Sequence, residues 1–168
     1  EEQVWLLPAN RAKNGSAARA PLSDMAVAEL DELAKRSLEK SAWPREGFVF
    51  STTGHSSVSG YSHAKQRLDK IIAELVALHD DQQPAQPWRL HDLRRTVATG
   101  LQRLGVRFEV TEAVLNHVSG SKGGVAGVYQ RHDWADEKRS ALEAWAGHVE
   151  QLMTGITATN VVRMEMRL

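Results

Sequence analysis

Cysteine is absent from the 168 residues, which excludes disulfide staples, thiolate zinc sites and thiol nucleophiles. An excess of charge is absent too, because 21 Lys and Arg offset 21 Asp and Glu. No bulk field therefore marks a nucleic-acid or acidic partner, although such binding depends on where cations cluster and not on their sum. No apolar run approaches the roughly 20 residues that cross a bilayer. No basic stretch followed by an apolar one opens the sequence as a leader would. These absences lead to the expectation of a soluble, cytoplasmic, globular protein, long enough for one domain with a buried core.

What is present reads as a short hairpin followed by helices. Val4-Trp5-Leu6-Leu7 is rich in strand formers and stops at Pro8, so a β-strand is predicted there. Asn14-Gly15 is a turn signal, since both residues tolerate positive φ, and Arg19 to Leu22 is the returning strand. Two strands alone are marginal in water, so the hairpin must lie on the rest of the domain or join a larger sheet.

Ser23 and Asp24 cap a helix over about 24–41, with Val27, Leu30, Leu33, Ala34 and Leu38 on one stripe and Trp43-Pro44 as its stop. Phe48-Val49-Phe50 reads as a short strand. Leu68, Ile71, Ile72, Leu75 and Leu78 mark the core stripe of a helix over about 62–79. The polar stretch 80–87, with two prolines, is a loop and the expected hinge. Leu93, Val97, Leu101 and Leu104 step along one face of the next helix, which Gly105 ends.

A short helix is predicted over 111–115, a flexible connection over 120–124, and a second short helix over 125–131. Ala141, Trp145, Val149 and Leu152 line a long helix beginning near Trp134. Residues 154–168 have no helical period, and Val161 to Met166 could be a strand or an arm. Trp5, Trp43, Trp88 and Trp145 read as packing residues. The fold class is α+β, mainly α, with a small β-hairpin at the N-terminal end.

Several polar residues have no place in this core. Successive helical residues turn by about 100°, so in His91-Asp92-Leu93-Arg94-Arg95-Thr96 an imidazole and two guanidiniums share the side opposite the leucines. Arg89 adds a cation at the N-terminal end, where backbone N–H groups already favour anions. This is the composition of a phosphate or carboxylate site, although a lone basic face is more often merely solvated. His-x-x-Arg by itself is a weak motif. The ordered series of this segment, then Leu115-Asn116-His117, then Val128-Tyr129-Gln130-Arg131-His132, each on its own helix, is much harder to obtain by accident.

With these segments the chain resembles the tyrosine recombinases, especially the phage and prophage integrases. The likeness extends to the hairpin, with Trp5, Pro8, Lys13-Asn14 and Pro21-Leu22-Ser23, and to Glu143-Ala144-Trp145-Ala146 near the end. It implies a helical-bundle catalytic domain with a small sheet that cuts and rejoins double-stranded DNA without metal or other cofactor. By resemblance Tyr129 is the nucleophile and Arg94 the second of two catalytic arginines. His91 is the histidine preceding that arginine, His117 helps hold the phosphate, and Lys13 protonates the leaving oxygen. Arg95, Arg89, Arg11, Arg19 and Thr96 are the candidate DNA contacts. The resemblance also implies assembly on DNA as a homo-tetramer, and a prokaryotic host whose nucleoid the protein would attend.

The chemistry suits those residue types. Attack on a phosphodiester builds negative charge on the non-bridging oxygens, which planar arginine answers with paired donors. A tyrosine hydroxyl titrates near pH ~10 and needs help to act as a nucleophile. His91 or His117 could take its proton, and the sequence does not choose. An ammonium on a hairpin can protonate the departing 5′ oxygen.

The sequence also departs from the family pattern. The first catalytic arginine has no counterpart, and Arg11 lies too close to Lys13 to replace it. Residues 1–153 are therefore expected to be a partial catalytic domain, weak or inactive alone, with 154–168 a tail able to act as an inter-protomer arm. Asn116 stands where glycine is usual, a change expected to be mild because Asn tolerates unusual φ/ψ. The connection from His117 to Tyr129 carries an insertion at 119–124. Two other functions remain. A helical DNA-binding module without chemistry would use Arg89, Arg94, Arg95, Arg103 and Arg107 on backbone phosphates. A metal hydrolase would need His91, His117 and His132 to have carboxylates at metal-binding spacings such as His-Glu-x-x-His, which they lack.

Overall fold

The computed structural model describes residues 3–38, 48–51, 53, 55–78, 83, 86–117 and 133–155. The predicted helix at 125–131, the connection at 120–124, the Trp43-Pro44 stop and the tail beyond 155 lie outside them. The described elements are strands β1 (Val4–Leu7) and β2 (Ala18–Pro21) and helices α1 (Asp24–Leu38), α2 (Tyr61–Ala77), α3 (Leu90–Arg103), α4 (Phe108–Val114) and α5 (Ala135–Thr154). The fold is mainly helical with a small antiparallel sheet. Its contacts divide it into two compact units, Glu1–Val27 with Val97–Leu168, and Ala28–Thr96.

The first unit contains the hairpin. β1 and β2 pair antiparallel from Val4↔Pro21 to Leu7↔Ala18, one residue earlier than the sequence placed the returning strand. The connection is not a tight Asn-Gly turn. A 3-10 turn at Ala9–Arg11 opens it, and Gly15, at φ 68°, closes it with its N–H donating to the Ala12 carbonyl at 3.0 Å.

The core of this unit is Leu101, Val110 and Ala141, with Val97, Val106, Val114, Trp134 and Trp145 packed around them. α4 and β2 both pack on α5. The nearly buried Lys138 of α5 donates from Nζ to the Arg19 carbonyl at 3.0 Å, so a carbonyl dipole replaces part of the hydration that its ammonium loses. Trp5 departs from its expected packing role. It is exposed along with Leu6, because the strand that faces α5 is β2.

α3 and α4 both end in the left-handed cap that their sequences permit, at Gly105 and Asn116. At the end of α3, Val106 N–H reaches Leu101 O and Gly105 N–H reaches Gln102 O, with Gly105 at φ 80°. This is the paired-bond Schellman arrangement. α4 starts earlier than its apolar pattern suggests, because Arg107 has extended backbone and its carbonyl accepts the Thr111 N–H.

Ser23 Oγ accepts the Ala26 N–H and caps α1, whose first residues belong to the first unit and the remainder to the second. The strand predicted at 48–50 is not formed. Ser51 Oγ donates to the Ser56 carbonyl at 2.6 Å and accepts from Thr53 N–H, while Phe50 O accepts from Val58 N–H. The serine thus closes a turn on itself and takes the place of a ladder partner.

α2 presents a different face from the one its leucines suggested. Leu68, Ile71, Leu75 and Leu78 are exposed, and the half-buried residues are Lys65, Ile72 and Val76. Lys65 explains the rotation: its ammonium lies 4.0 Å over the Trp88 ring and 2.6 Å from Asp69, which anchors that side of the helix near the chain leading into α3. Leu93 and Leu104 are exposed as well, so the apolar stripe of α3 is packed at Val97 and Leu101 and not at its two ends.

Candidate catalytic site

His117 is presented by the end of α4. Asn116 takes φ 50°, His117 N–H donates to Glu112 O at 3.0 Å, and Asn116 N–H donates to Ala113 O at 3.2 Å. These two bonds form the same cap that Gly105 makes, with asparagine in the left-handed position. The tolerance of Asn for such a backbone is what the sequence predicts at this position.

The imidazole has a partner that the sequence reading missed. His117 Nδ1 lies 2.9 Å from Glu112 Oε1. A carboxylate on Nδ1 favours the proton there and leaves Nε2 turned to the other side of the ring. One signal for Glu112 was legible, since a residue five before the histidine falls beside it when the helix ends in this cap.

Lys13 lies at the tip of the hairpin connection and is exposed, with Arg11 and Arg19 exposed on either side. The tip is tied to the His117 cap. Asn14 Nδ2 donates to the Asn116 carbonyl at 2.6 Å, and Asn116 Nδ2 donates to the Ser16 carbonyl at 3.2 Å. Asn14 Oδ1 also accepts the Ser16 N–H at 3.0 Å. Residues flanking Lys13 and His117 are thus joined across about a hundred residues of sequence within one unit.

His91, Arg94, Arg95, Arg89 and Thr96 belong to the other unit and are all exposed. Asp92 organises the first turn of α3. Its Oδ2 accepts the Arg89 N–H at 2.8 Å, and its Oδ1 accepts from Arg95 at 3.1 Å. The backbone bond from Arg89, chiefly, then the charges of Arg95 and Arg89, hold this carboxyl below the usual aspartate range. Arg95 is therefore partly committed to Asp92, and the Thr96 hydroxyl donates to the Asp92 carbonyl at 2.9 Å. Arg94 also has a partner within the protein. Tyr129 and His132 lie outside the described residues. Among the described residues no three His, Asp or Glu side chains form a group that could hold a metal ion, and no helix is long and apolar enough to cross a membrane.

The phage integrase family model matches residues 1–133. No curated protein and no solved structure matches the chain. The hairpin, helices α1 to α4 and the segments carrying Lys13, His91, Arg94, His117 and Tyr129 fall within the matched stretch, which covers most of the sequence and ends just before α5. The chain belongs to the phage integrase family, whose members are tyrosine recombinases that bind DNA and act in its integration and recombination.

Proposed function

We propose that this chain carries out DNA strand cleavage and rejoining through a 3′-phosphotyrosyl intermediate. The Tyr129 phenol attacks the phosphorus, and the bond to the 5′ oxygen breaks. His91 or His117 takes the phenolic proton, and the Lys13 ammonium gives a proton to the departing oxygen. Arg94, and His117 once its Nε2 carries a proton, stabilise the charge that gathers on the non-bridging oxygens. Rejoining reverses each transfer, so the bond energy is kept and no nucleotide is consumed. Arg95, Arg89, Arg11, Arg19 and Thr96 hold the DNA backbone around that phosphate.

The observation that carries this reading is the tie between the Lys13 tip and the His117 cap. A leaving-group acid and a phosphate ligand must serve one phosphate, and two hydrogen bonds join these segments, one from Asn14 to Asn116 and one from Asn116 to Ser16. Arg94 answers to one of the two arginines that the chemistry uses, so adduct formation by this 168-residue chain alone is expected to be weak. Residues 1–153 form the catalytic part in this reading, and 154–168 an arm that links protomers in a tetramer on DNA within a prokaryotic cytoplasm.

A nicked duplex that traps the covalent adduct tests the reading. The chain should yield an adduct that persists in EDTA and disappears in Tyr129→Phe, with DNA binding retained. Binding without adduct in either protein would assign the chain to the non-catalytic DNA-binding class.

A further inference from the structure

We propose that Asn14 and Asn116 are positioning residues for strand cleavage, setting the Lys13 ammonium at the leaving oxygen by clamping its loop to the cap that presents His117. The inference rests on the reading above, and it gives a task to an asparagine where a glycine would suffice for the backbone. At φ 50° glycine would be the least strained choice. Asparagine is tolerated there and brings an amide that glycine lacks.

That amide reaches the hairpin loop. Asn116 Nδ2 donates to Ser16 O at 3.2 Å, and the Asn116 main-chain carbonyl accepts from Asn14 Nδ2 at 2.6 Å. Asn14 Oδ1 closes the arrangement on Ser16 N–H at 3.0 Å. The result is a two-sided clamp: each asparagine donates its amide to a main-chain carbonyl of the other segment. Lys13 immediately precedes one asparagine and His117 immediately follows the other. The hairpin strands end at Leu7 and Ala18, so their pairing does not reach the tip, and the clamp supplies a second anchor.

The clamp constrains backbone position and touches no reacting atom. Its loss should slow only the step that depends on where Lys13 stands, which is protonation of the 5′ oxygen. A substrate with sulfur in place of that bridging oxygen separates this step from the rest, because a thiolate leaves without needing a proton.

Asn116→Gly is the informative variant, since it keeps the left-handed cap and removes the amide. Asn14→Ala attacks the clamp from the exposed loop and serves if the first variant misfolds. Cleavage of the ordinary nicked duplex should fall by about 10- to 100-fold, the scale of a misplaced catalytic group. Cleavage of the 5′-sulfur duplex should stay near the wild-type rate, and hydrogen exchange at residues 12–16 should quicken.

Equal slowing on both substrates, or unchanged exchange at the tip, would overturn the positioning role and leave strand cleavage standing. Absence of a Tyr129 adduct from the unaltered chain on both substrates would overturn the cleavage reading, and the positioning role with it.

Discussion

Gly100 of α3 lies against the Trp145 ring of α5: a β-carbon added at this glycine would stand 2.8 Å from Cη2 of the indole and closer still to Cζ3. The two helices approach across hydrogen because nothing larger fits, and Leu101 beside it is fully buried. Alanine would gain about 1 kcal/mol of helix propensity. Overpacking a core of fixed shape costs about 1–3 kcal/mol, and the ring, wedged beside Leu101 and Ala141, has little room to yield. Gly100→Ala should therefore lower the urea midpoint, and a raised midpoint would mean that the contact relaxes freely.

Glu112 fixes the His117 ring at 2.9 Å. Removing the carboxylate frees the imidazole to turn and to change tautomer. Glu112→Ala should reduce the rate of adduct formation by about tenfold, within the range seen when a histidine loses its orienting partner. Stability should change by less than about 1 kcal/mol, because the pair is partly exposed. A variant that cleaves at the wild-type rate would show that the ring is held by other means.

The N-terminal turn of α3 should weaken in acid. Asp92 has its carboxyl lowered chiefly by the Arg89 N–H and secondarily by Arg95 and Arg89. A group lowered on folding stabilises the fold above its unfolded pKa, and that contribution fades as pH falls through the lower folded value. Exchange of the first α3 amides should therefore accelerate below the ordinary aspartate range, near pH ~4. In Asp92→Asn this acid dependence should disappear; a dependence unchanged in that variant would trace it to another carboxylate.

Lys138 holds β2 to α5 through the Arg19 carbonyl. Lys138→Met keeps much of the volume and removes the donor, leaving a carbonyl with one fewer partner at a packed interface. The expected loss is about 1–3 kcal/mol, and amide exchange in Ala18–Pro21 should rise more than in α4. Equal protection in both elements would place the anchorage of the hairpin elsewhere.

Much of the architecture was legible in the order of residues. The hairpin, the Ser23 cap, the Gly105 stop and the long final helix each follow from local chemistry. A hydroxyl at a helix start, a residue able to take positive φ at its end, and apolar spacing between them act over a few residues. The readings that failed share a different cause. Phe48-Val49-Phe50 has strand composition, but a strand needs a partner, and Ser51 occupies the neighbouring backbone groups instead. The leucines of α2 have the right period, but period names a face without naming what lies against it, and Lys65 with Trp88 and Asp69 turned another side inward.

The candidate site divides along the same line. Residue types in sequence order marked Lys13, His91, Arg94, His117 and Tyr129 as the groups that phosphoryl chemistry would want. By itself the sequence determined the family, the mainly helical class and the tolerance of Asn116 for a left-handed backbone, because these depend on local conformation and on the order of motifs. Only the tertiary structure decided that Asn14 reaches Asn116. A hydrogen bond across a hundred residues depends on where two segments meet in space, and nothing in either segment alone fixes that meeting.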